Sequence, residues 1–284
     1  MTVREDLRVR PAGTADQRAL AHLIQASPHV HRHLDWRTPL DWIGSSPFLV
    51  VESGGLPVAA FACPPDPPGV AWVRLFADSE TLPLVETWQV LWEAARAGLA
   101  GQGATVAAIV LNDWLLGLVA GSGFSNRQDI VMLERDQPDP AEAPLPEGVT
   151  VRAMLPSDLP AVAAVDAAAF EPIWQNSLPA LNRAFPQAAL ATVAEAAGEV
   201  IGYQISTRNP FGAHLARLAV RPDRQRRGLG AALVVDLTRA LANHGLSRLT
   251  VNTQSDNRTS LALYRRLGFR ETGERYPVYE IRVP

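Results

Sequence analysis

The sequence contains no lysine, so all 26 of its fixed cationic side chains are arginines. The single cysteine, Cys63, excludes an internal disulfide and fits a reducing compartment. No uncharged apolar run approaches the ~20 residues that a membrane helix needs. The charged start of the sequence, MTVREDLRVRP, lacks the apolar core of a secretory signal. We therefore expect a soluble cytoplasmic protein that has no membrane partner.

Strong charge of either sign is also lacking. The 284 residues carry a net charge of −3, with 10 Arg against 16 Asp and Glu in residues 1–140 and 16 Arg against 13 in residues 141–284. A mildly basic second half suits a small polyanion. It falls far short of the basic surface of a general nucleic-acid binder, so no nucleic-acid partner is expected.

The most informative stretch is residues 215–235, LARLAVRPDRQRRGLGAALVV. A buried strand is predicted over Leu215–Val220, and Pro222 ends it. A loop with two glycines follows and leads directly into a helix rich in Ala and Leu. Such a loop turns several backbone N–H groups toward one point at the positive end of a helix, which is the form of a phosphate site. The residues assigned to it are Gln225, Arg226, Arg227, Gly228, Leu229, Gly230 and Ala231.

This order of strand, proline, Gln-x-x-Gly-x-Gly and helix resembles the acyl-CoA pyrophosphate loop of the GNAT superfamily of N-acetyltransferases. The resemblance implies acetyl-CoA as co-substrate. It also implies a central strand that splays from its neighbour, so that the main chain of Leu218, Ala219 and Val220 pairs with the pantetheine arm. A dinucleotide fingerprint is the rival interpretation. It fails because GLGAAL lacks a third glycine and no acid lies about 20 residues further on.

A second motif begins at Asn257 and ends at Gly268-Phe269. Helical spacing puts Asn257 and Tyr264 near one face, with Gly268 in the left-handed position beyond the helix end. The motif resembles the GNAT segment whose tyrosine lies near the thioester sulfur. The resemblance implies that Tyr264 protonates the departing thiolate and that Asn257 hydrogen-bonds the cofactor arm. A half-buried structural tyrosine is the alternative.

Two residues compete as the general base that deprotonates an ammonium acceptor. His214 begins the central strand, where some GNAT members carry a glutamate, and its ordinary pKa near 6.5 suits the role. Glu171 lies beside Trp174 in a segment that commonly forms the acceptor wall in this family. Ordered water is a third possibility, and these alternatives stay open.

The sequence also repeats itself across residues 136–148, which are rich in proline and are predicted to be a linker. Val9-Arg10 recurs as Val151-Arg152, an offset of 142 positions, and Gly123-Phe124 recurs as Gly268-Phe269, an offset of 145. Each half predicts a strand, a helix, a hairpin, a central strand, a long helix, a strand, a helix and a closing pair of strands. The predicted fold class is α/β, a mixed and largely antiparallel sheet flanked by helices, formed twice as tandem GNAT-like domains over 1–135 and 149–284.

The two halves differ at the phosphate loop. With an offset of 143, Gly228 and Gly230 fall on Val85 and Thr87, and no arginine lies between Arg74 and Arg96. We therefore expect the first half to bind no CoA. Six of the seven tryptophans lie there, which favours packing or docking.

The triplet His29-x-His31-x-His33 has the alternation of a zinc-binding strand. Because Pro28 precedes it and no cysteine is near, a surface loop is predicted instead, and no metal is expected.

These patterns predict an N-acetyltransferase that moves an acetyl group from acetyl-CoA to an unidentified primary amine by direct attack in a ternary complex. A monomer or homodimer is expected. The alternative is a non-catalytic acyl-CoA-binding regulatory or interaction protein.

Overall fold

The structure is a computed structural model that describes residues 7–137, 142–210 and 212–284. The first six residues of the charged amino terminus lie outside the described residues, as do 138–141 of the predicted linker.

The chain divides into two compact units. The N-terminal unit comprises residues 1–127 and 277–284, and the C-terminal unit comprises residues 128–276. This division differs from the predicted boundaries, because the last eight residues of the chain belong to the N-terminal unit.

The N-terminal unit opens with a short strand and a helix and then alternates between strands and longer helices. Its strands are β1 Arg8–Pro11, β2 His29–Arg32, β3 Phe48–Ser53, β4 Leu56–Ala62, β5 Val70–Trp72, β6 Leu75–Asp78 and β7 Thr105–Ile109. Its helices are α1 Gln17–Ala26, α2 Leu84–Leu99 and α3 Asp113–Gly121.

Five of these strands form an antiparallel sheet in the order β1-β3-β4-β6-β2. β5 pairs in parallel with β7, and residues 278–282 pair antiparallel with the other edge of β7. The core is aromatic: Trp88 packs edge-on against Phe61 and Phe76 with ring centroids 5.4 and 5.3 Å apart. Trp88 and Trp92 are both buried, consistent with a packing role.

The C-terminal unit repeats this plan with a longer central strand. Its strands are β8 Ser125–Asp136 (from residue 128), β9 Val149–Ala153, β10 Leu190–Ala196, β11 Glu199–Asn209, β12 Gly212–Val220, β13 Arg248–Gln254 and β14 Arg270–Arg282 (to residue 276). Its helices are α4 Leu159–Ala169, α5 Leu178–Ala184, α6 Leu229–Asn243 and α7 Arg258–Arg266.

The sheet of this unit runs β8-β13-β12-β11-β10-β9, with β12 and β13 parallel and the other pairs antiparallel. Leu229 and Leu233 of α6 pack with Ile201 and Val220 of the sheet. Asp166 of α4 bonds to β12 from another helix of the same unit. The mixed, largely antiparallel sheet flanked by helices, formed twice, confirms the predicted fold class.

One part of the predicted plan is wrong. A single long strand, β8 or β14, follows the last helix of each repeat, where a closing pair was expected. In β14 the chain stays extended, and Val278–Arg282 are held in register by β7.

The repeat has a physical signature in its ion pairs. In each unit one arginine, on β1 or on β9, forms ion pairs with two acids. One acid precedes the next helix, and the other lies near the end of a hairpin strand. The pairs are Arg10–Asp16 (2.7 Å), Arg10–Glu52 (2.6 Å), Arg152–Asp158 (2.7 Å) and Arg152–Glu195 (2.9 Å).

Candidate active site

Strands β12 and β13 separate part of the way along their length. Their parallel pairing covers residues 213–215 of β12 and 249–251 of β13. Beyond it β13 pairs with β8 alone, and β12 continues to Val220 paired with β11 alone. Within the described residues, the edge of β12 from 216 to 220 that faces β13 has no strand beside it. The opening lies where the resemblance placed it.

A β-bulge marks the point of separation. Ile205 pairs with Arg217 and Ser206 with Leu215, so Ala216 is an extra residue in β12. A bulge bends its strand and increases the local twist. The bulge therefore turns the second half of β12 away from β13 and leaves it, within the described residues, without a strand partner on that side.

The loop between β12 and α6 gathers free backbone N–H groups. Arg226 and Gly228 both have positive φ, 60° and 83°, and Gly228 is the N-cap of α6. The first backbone bond of the helix runs from Ala232 N–H to Gly228 O (3.0 Å). Among the described residues, the N–H groups of 226–231 have no backbone acceptor. Unpaired donors at the positive end of a 15-residue helix fit a pyrophosphate group.

Glycine is favoured at the two loop positions for different structural reasons. Gly228 has open space around it, and its left-handed φ is what favours glycine. Gly230 has no such φ, but a Cβ there would lie 3.4 Å from Leu263 Cδ2 of α7 and 4.0 Å from Val220 Cγ2. The first turn of α6 therefore lies against α7 and the end of β12.

The side chains of the predicted loop residues divide into internal and exposed groups. Gln225 Nε2 donates to Val220 O (2.9 Å) and so ties the loop to the end of β12. Arg226 and Arg227 are exposed and place positive charge around the free N–H groups. Leu229 and Ala231 are buried in the core, so only their main chain faces the loop. On β12, the side chain of Ala219 is also buried, while those of Leu218 and Val220 are half-buried.

Tyr264 lies on the buried face of α7, one residue from the Leu263 that packs near Gly230. It is 4% exposed, and its ring packs against Phe269 with centroids 5.5 Å apart. Burial raises the pKa of the phenol above its ordinary value. Its hydroxyl has no hydrogen-bond partner among the described residues. The phenol is therefore protonated at neutral pH, with no partner in this part of the chain competing for its proton.

Both polar atoms of the Asn257 side chain have partners, one in α7 and one at the end of β13. Its Oδ1 accepts from Ser260 N–H (3.0 Å) as the N-cap of α7, and its Nδ2 donates to Gln254 Oε1 (3.3 Å). Substituting an N-cap asparagine costs about 1 kcal/mol of stability. Asn257 therefore positions α7, and its contact with a cofactor arm stays a prediction.

His214 lies at the closed end of the opening. Its Nδ1 is 2.9 Å from Thr250 Oγ1 and its Nε2 is 3.1 Å from Asn252 Oδ1, so both ring nitrogens have partners on β13. Burial lowers the pKa of the imidazole, partly offset by the bond to Asn252. His214 is therefore neutral at pH 7, and as a base it would have to exchange one of these partners for the acceptor.

Glu171 is exposed and lies directly before the short turn Pro172–Trp174. Trp174 N–H donates to Glu171 O (2.8 Å), which fixes the backbone of this segment. His214 thus lies on the central strand and Glu171 on the segment after α4, and the role of either as the base stays a prediction.

A buried ionic network next to this segment was not predicted. Asp166 of α4 is fully buried and accepts from Arg217 Nε (2.7 Å) and Nη2 (2.8 Å), from Asn176 N–H (2.7 Å) and from the Tyr203 hydroxyl. Burial raises the pKa of the Tyr203 phenol, so it remains a donor. The sequence signal that could have predicted this network is an acid on an apolar helix face beside Val162 and Val165. A buried carboxylate there needs hydrogen-bond partners.

The N-terminal unit fills the equivalent opening with its own strand. At an offset of 143, Leu75–Asp78 of β6 correspond to Leu218–Arg221 of the C-terminal unit. β2 pairs with β6 at each of these positions, from Arg32 opposite Leu75 to His29 opposite Asp78. The edge that the resemblance assigns to a pantetheine arm is therefore taken by β2.

The prediction of a surface loop at the histidine triplet is wrong. His31 belongs to β2, is 1% exposed, and bonds through Nε2 to Val73 O (3.0 Å). Burial lowers its pKa to about 4. His33 stacks on Trp72 with ring centroids 4.7 Å apart. This could not be predicted from local sequence, because β2 pairs with β6, which is distant in sequence.

Among its described residues, the N-terminal unit also has no phosphate loop. Pro83 precedes α2, and Thr87 N–H, at the position of Gly230, donates to Pro83 O (3.0 Å). Across residues 7–137, 142–210 and 212–284, no group of three His, Cys, Asp or Glu side chains is placed to hold a metal ion. No helix in this part of the chain has the length and apolar character to span a membrane.

Comparison with known proteins agrees with this geometry. The acetyltransferase (GNAT) family matches residues 159–269. A mycothiol acetyltransferase from Pseudarthrobacter chlorophenolicus is 36% identical over 146 residues, which are 46% of this chain and 45% of that protein. One from Saccharomonospora viridis is 32% identical over 172 residues, 52% of this chain and 55% of that protein. The chain thus spans about half the length of these curated relatives.

Solved structures match nearly the whole chain. A tandem GNAT protein from the clavulanic acid biosynthesis pathway aligns with a TM-score of 0.65 at 16% identity, covering 98% of this chain and 99% of that one. A GCN5-related N-acetyltransferase from Sphaerobacter thermophilus aligns with a TM-score of 0.62 at 22% identity, covering 99% and 97%.

A splayed pair of parallel strands with a glycine loop at the next helix is the arrangement that the resemblance implied. The C-terminal half of the chain is similar to the acetyltransferase (GNAT) family over residues 159–269, and the chain as a whole has the fold of a tandem GNAT protein.

Proposed function

We propose that the C-terminal unit transfers an acetyl group from acetyl-CoA to a primary amine. One observation carries the proposal: the free edge of β12 from 216 to 220 leads into the loop of unpaired N–H groups at 226–231. An arm that pairs with an open strand edge and ends in a pyrophosphate fits this pair of features. The family match over residues 159–269 supports the same chemistry.

The proposed mechanism is direct attack of the amine on the thioester within a ternary complex. Cys63 is fully buried in the N-terminal unit, where burial raises the pKa of its thiol, so it is not a nucleophile for the C-terminal groove. Tyr264 supplies a proton to the departing thiolate. His214 or Glu171, or an ordered water, removes the proton from the ammonium.

The N-terminal unit in this proposal contributes structure and no second acyl-CoA site, because β2 occupies the equivalent strand edge. Because acetyl-CoA is a metabolite of the cell interior, we expect a cytoplasmic location. A monomer or homodimer remains the expected state of assembly.

The function is tested by following free thiol release from acetyl-CoA with a panel of amines. The panel contains glucosamine, amino acids, an aminoglycoside, spermidine, a peptide with a free N-terminus and the amine acceptor of the mycothiol acetyltransferases. Acetylated product with at least one amine is expected. Tight binding of acetyl-CoA without turnover of any amine would instead support the regulatory acyl-CoA-binding alternative.

A further inference from the structure

A cavity of about 380 Å³ lies in the C-terminal unit between α6 and the segment that precedes β9. Residues 142–145 form one wall, Ala232, Asp236 and Arg239 of α6 form another, and Val151 of β9 also lines the cavity. Arg239 is exposed, so the cavity can be reached from solvent. Its volume lies within the range of about 300–1,000 Å³ that small-molecule pockets have.

The cavity is separate from the candidate active site. In the sheet of this unit β9 is three strands away from β12, which is about 14 Å at the usual strand spacing. The open edge of β12 faces the other way, toward β13. Along α6, Asp236 follows the N-cap Gly228 by about 12 Å of helical rise. A ligand beside Asp236 would therefore lie outside the groove and its glycine loop.

Both walls of the cavity are anchored to the core of the unit. Ala143 packs against the core cluster that contains Val234 and Val235 of α6. Further along the chain, Val149 N–H donates to Pro146 O (3.2 Å), and Val149 begins β9, which pairs with β10. The segment over residues 142–145 is thus held on both sides.

Asp236 carries a carboxylate that faces this cavity without a protein partner. Asp236 and Arg239 are the only charged residues of α6, and the positions just before Asp236, from Ala231 to Val235, are all buried. Asp236 itself is half-buried, and burial raises the pKa of its carboxyl while the charge of Arg239 opposes this shift. Among the residues that the structure describes, no side chain or N–H group donates to it. A carboxylate in such surroundings is stabilised by a cation that reaches it.

The other groups of the cavity define the chemistry of that cation. Glu142 on the opposite wall adds a second acid, so two carboxylates stand against the single cation Arg239. Pro144, Val151 and Ala232 supply apolar surface. A small organic cation matches both features, because its charged group suits the acids and its chain suits the apolar surface.

We propose that this cavity binds a small primary ammonium ion with a short apolar chain, its nitrogen at Asp236 and its chain against Val151 and Ala232. The site goes beyond the proposed acetyl transfer, because it lies outside the groove and needs no acyl-CoA. Arg239 is three residues from Asp236 on the same helix face, so it competes with the ligand for the carboxylate.

The test is an amide NMR titration of the full chain with n-butylammonium chloride at pH 7, without acetyl-CoA. We expect saturable shifts confined to residues 142–145 and 232–239. Asp236→Asn should raise the Kd about 10-fold, as should replacement of the probe by uncharged n-butanol, because each removes a hydrogen bond between charged groups. Arg239→Gln should lower the Kd about 3-fold, because it removes the competing cation.

The matched control is Glu93→Gln. Glu93 of α2 corresponds to Asp236 at an offset of 143 and is exposed, so this variant should bind the probe as wild type does.

Wild-type affinity in Asp236→Asn would overturn the site, as would equal affinity for n-butanol or the absence of saturable shifts. Shifts confined to residues 213–220 and 258–264 would place the probe in the groove and would also overturn it. Equal weakening in Asp236→Asn and Arg239→Gln would indicate a collapsed cavity in place of charge recognition, and the proposal would fail. Because no acyl-CoA is present and no turnover is measured, none of these results bears on the proposed acetyl transfer.

Discussion

His31 and Phe76 lie opposite each other on the antiparallel strands β2 and β6 of the N-terminal unit. Phe76 corresponds to Ala219 at an offset of 143, and within the described residues β12 has no strand beside Ala219 on that side. In the N-terminal unit β2 therefore covers the strand edge that the C-terminal unit leaves open. This difference explains why a duplicated fold would retain a single acyl-CoA site.

The first prediction concerns the number of binding sites. Calorimetric titration of the full chain with CoA should give one site, and Gly228→Val should abolish it, because valine cannot hold φ near 83° at the loop. Replacing both Val85 and Thr87 by glycine should not create a second site, since β2 still occupies β6. Two sites of similar affinity in the wild type would contradict this account.

The second prediction concerns Tyr264. Tyr264→Phe should lower kcat about 100-fold with CoA affinity unchanged, because the proton is needed only as the C–S bond breaks. Burial raises the pKa of this phenol, so the wild-type kcat should not decline through its ionisation below pH ~10. A loss of CoA affinity equal to the loss in kcat would make Tyr264 a packing residue.

The third prediction separates the two candidate bases. If His214 is the base, kcat/KM falls on the acid side with a midpoint below the ordinary histidine value, because burial lowers its pKa. His214→Gln then removes this acid-side fall in kcat/KM, the acid limb of the profile, while Glu171→Gln preserves it. The opposite pattern in the two pH profiles assigns the role to Glu171, and retention of the limb in both variants points to water.

The fourth prediction concerns the stability of the N-terminal unit. The native pKa of His31 is about 4, below the ordinary 6.5, so the unfolded chain takes up a proton that the native state excludes as pH falls. The free energy of unfolding is unaffected by this proton above pH 6.5, and it falls by roughly 3 kcal/mol between pH 6.5 and pH 4. Urea unfolding of His31→Gln should show a shallower decline over this range.

The exposed His22 provides the control for that measurement. His22→Gln should leave the pH dependence of unfolding as in the wild type. If His31→Gln and His22→Gln show the same slope, the burial of His31 in β2 does not govern the acid sensitivity of this unit.

Local sequence patterns predicted those features of the fold that depend on residues close together in the chain. The loop glycines and the left-handed Gly268 after α7 could be read from spacing and turn residues, as could the order of most elements. The strand that fills the N-terminal opening could not be, because β2 pairs with residues more than 40 positions away. Its alternating histidines look polar in the sequence, and only the pairing with β6 explains their burial.

The buried network of Asp166 and Arg217 was missed for a similar reason. Arg217 pairs with Asp166, 51 positions earlier, and with a backbone oxygen that no sequence pattern displays. The closing strands were mistaken because long-range pairing with β7 decides whether residues 270–282 turn or stay extended.

The fate of the acetyl group tests the central claim most directly. The full chain is incubated with acetyl-CoA labelled in the acetyl group and with each amine of the panel, and protein, CoA and amine are then separated. The account predicts label on one class of amine, one free CoA for each acetylated product, no label on the protein, and loss of all transfer in Gly228→Val. Label that remains in bound acetyl-CoA with every amine, or that accumulates on the protein, would contradict it.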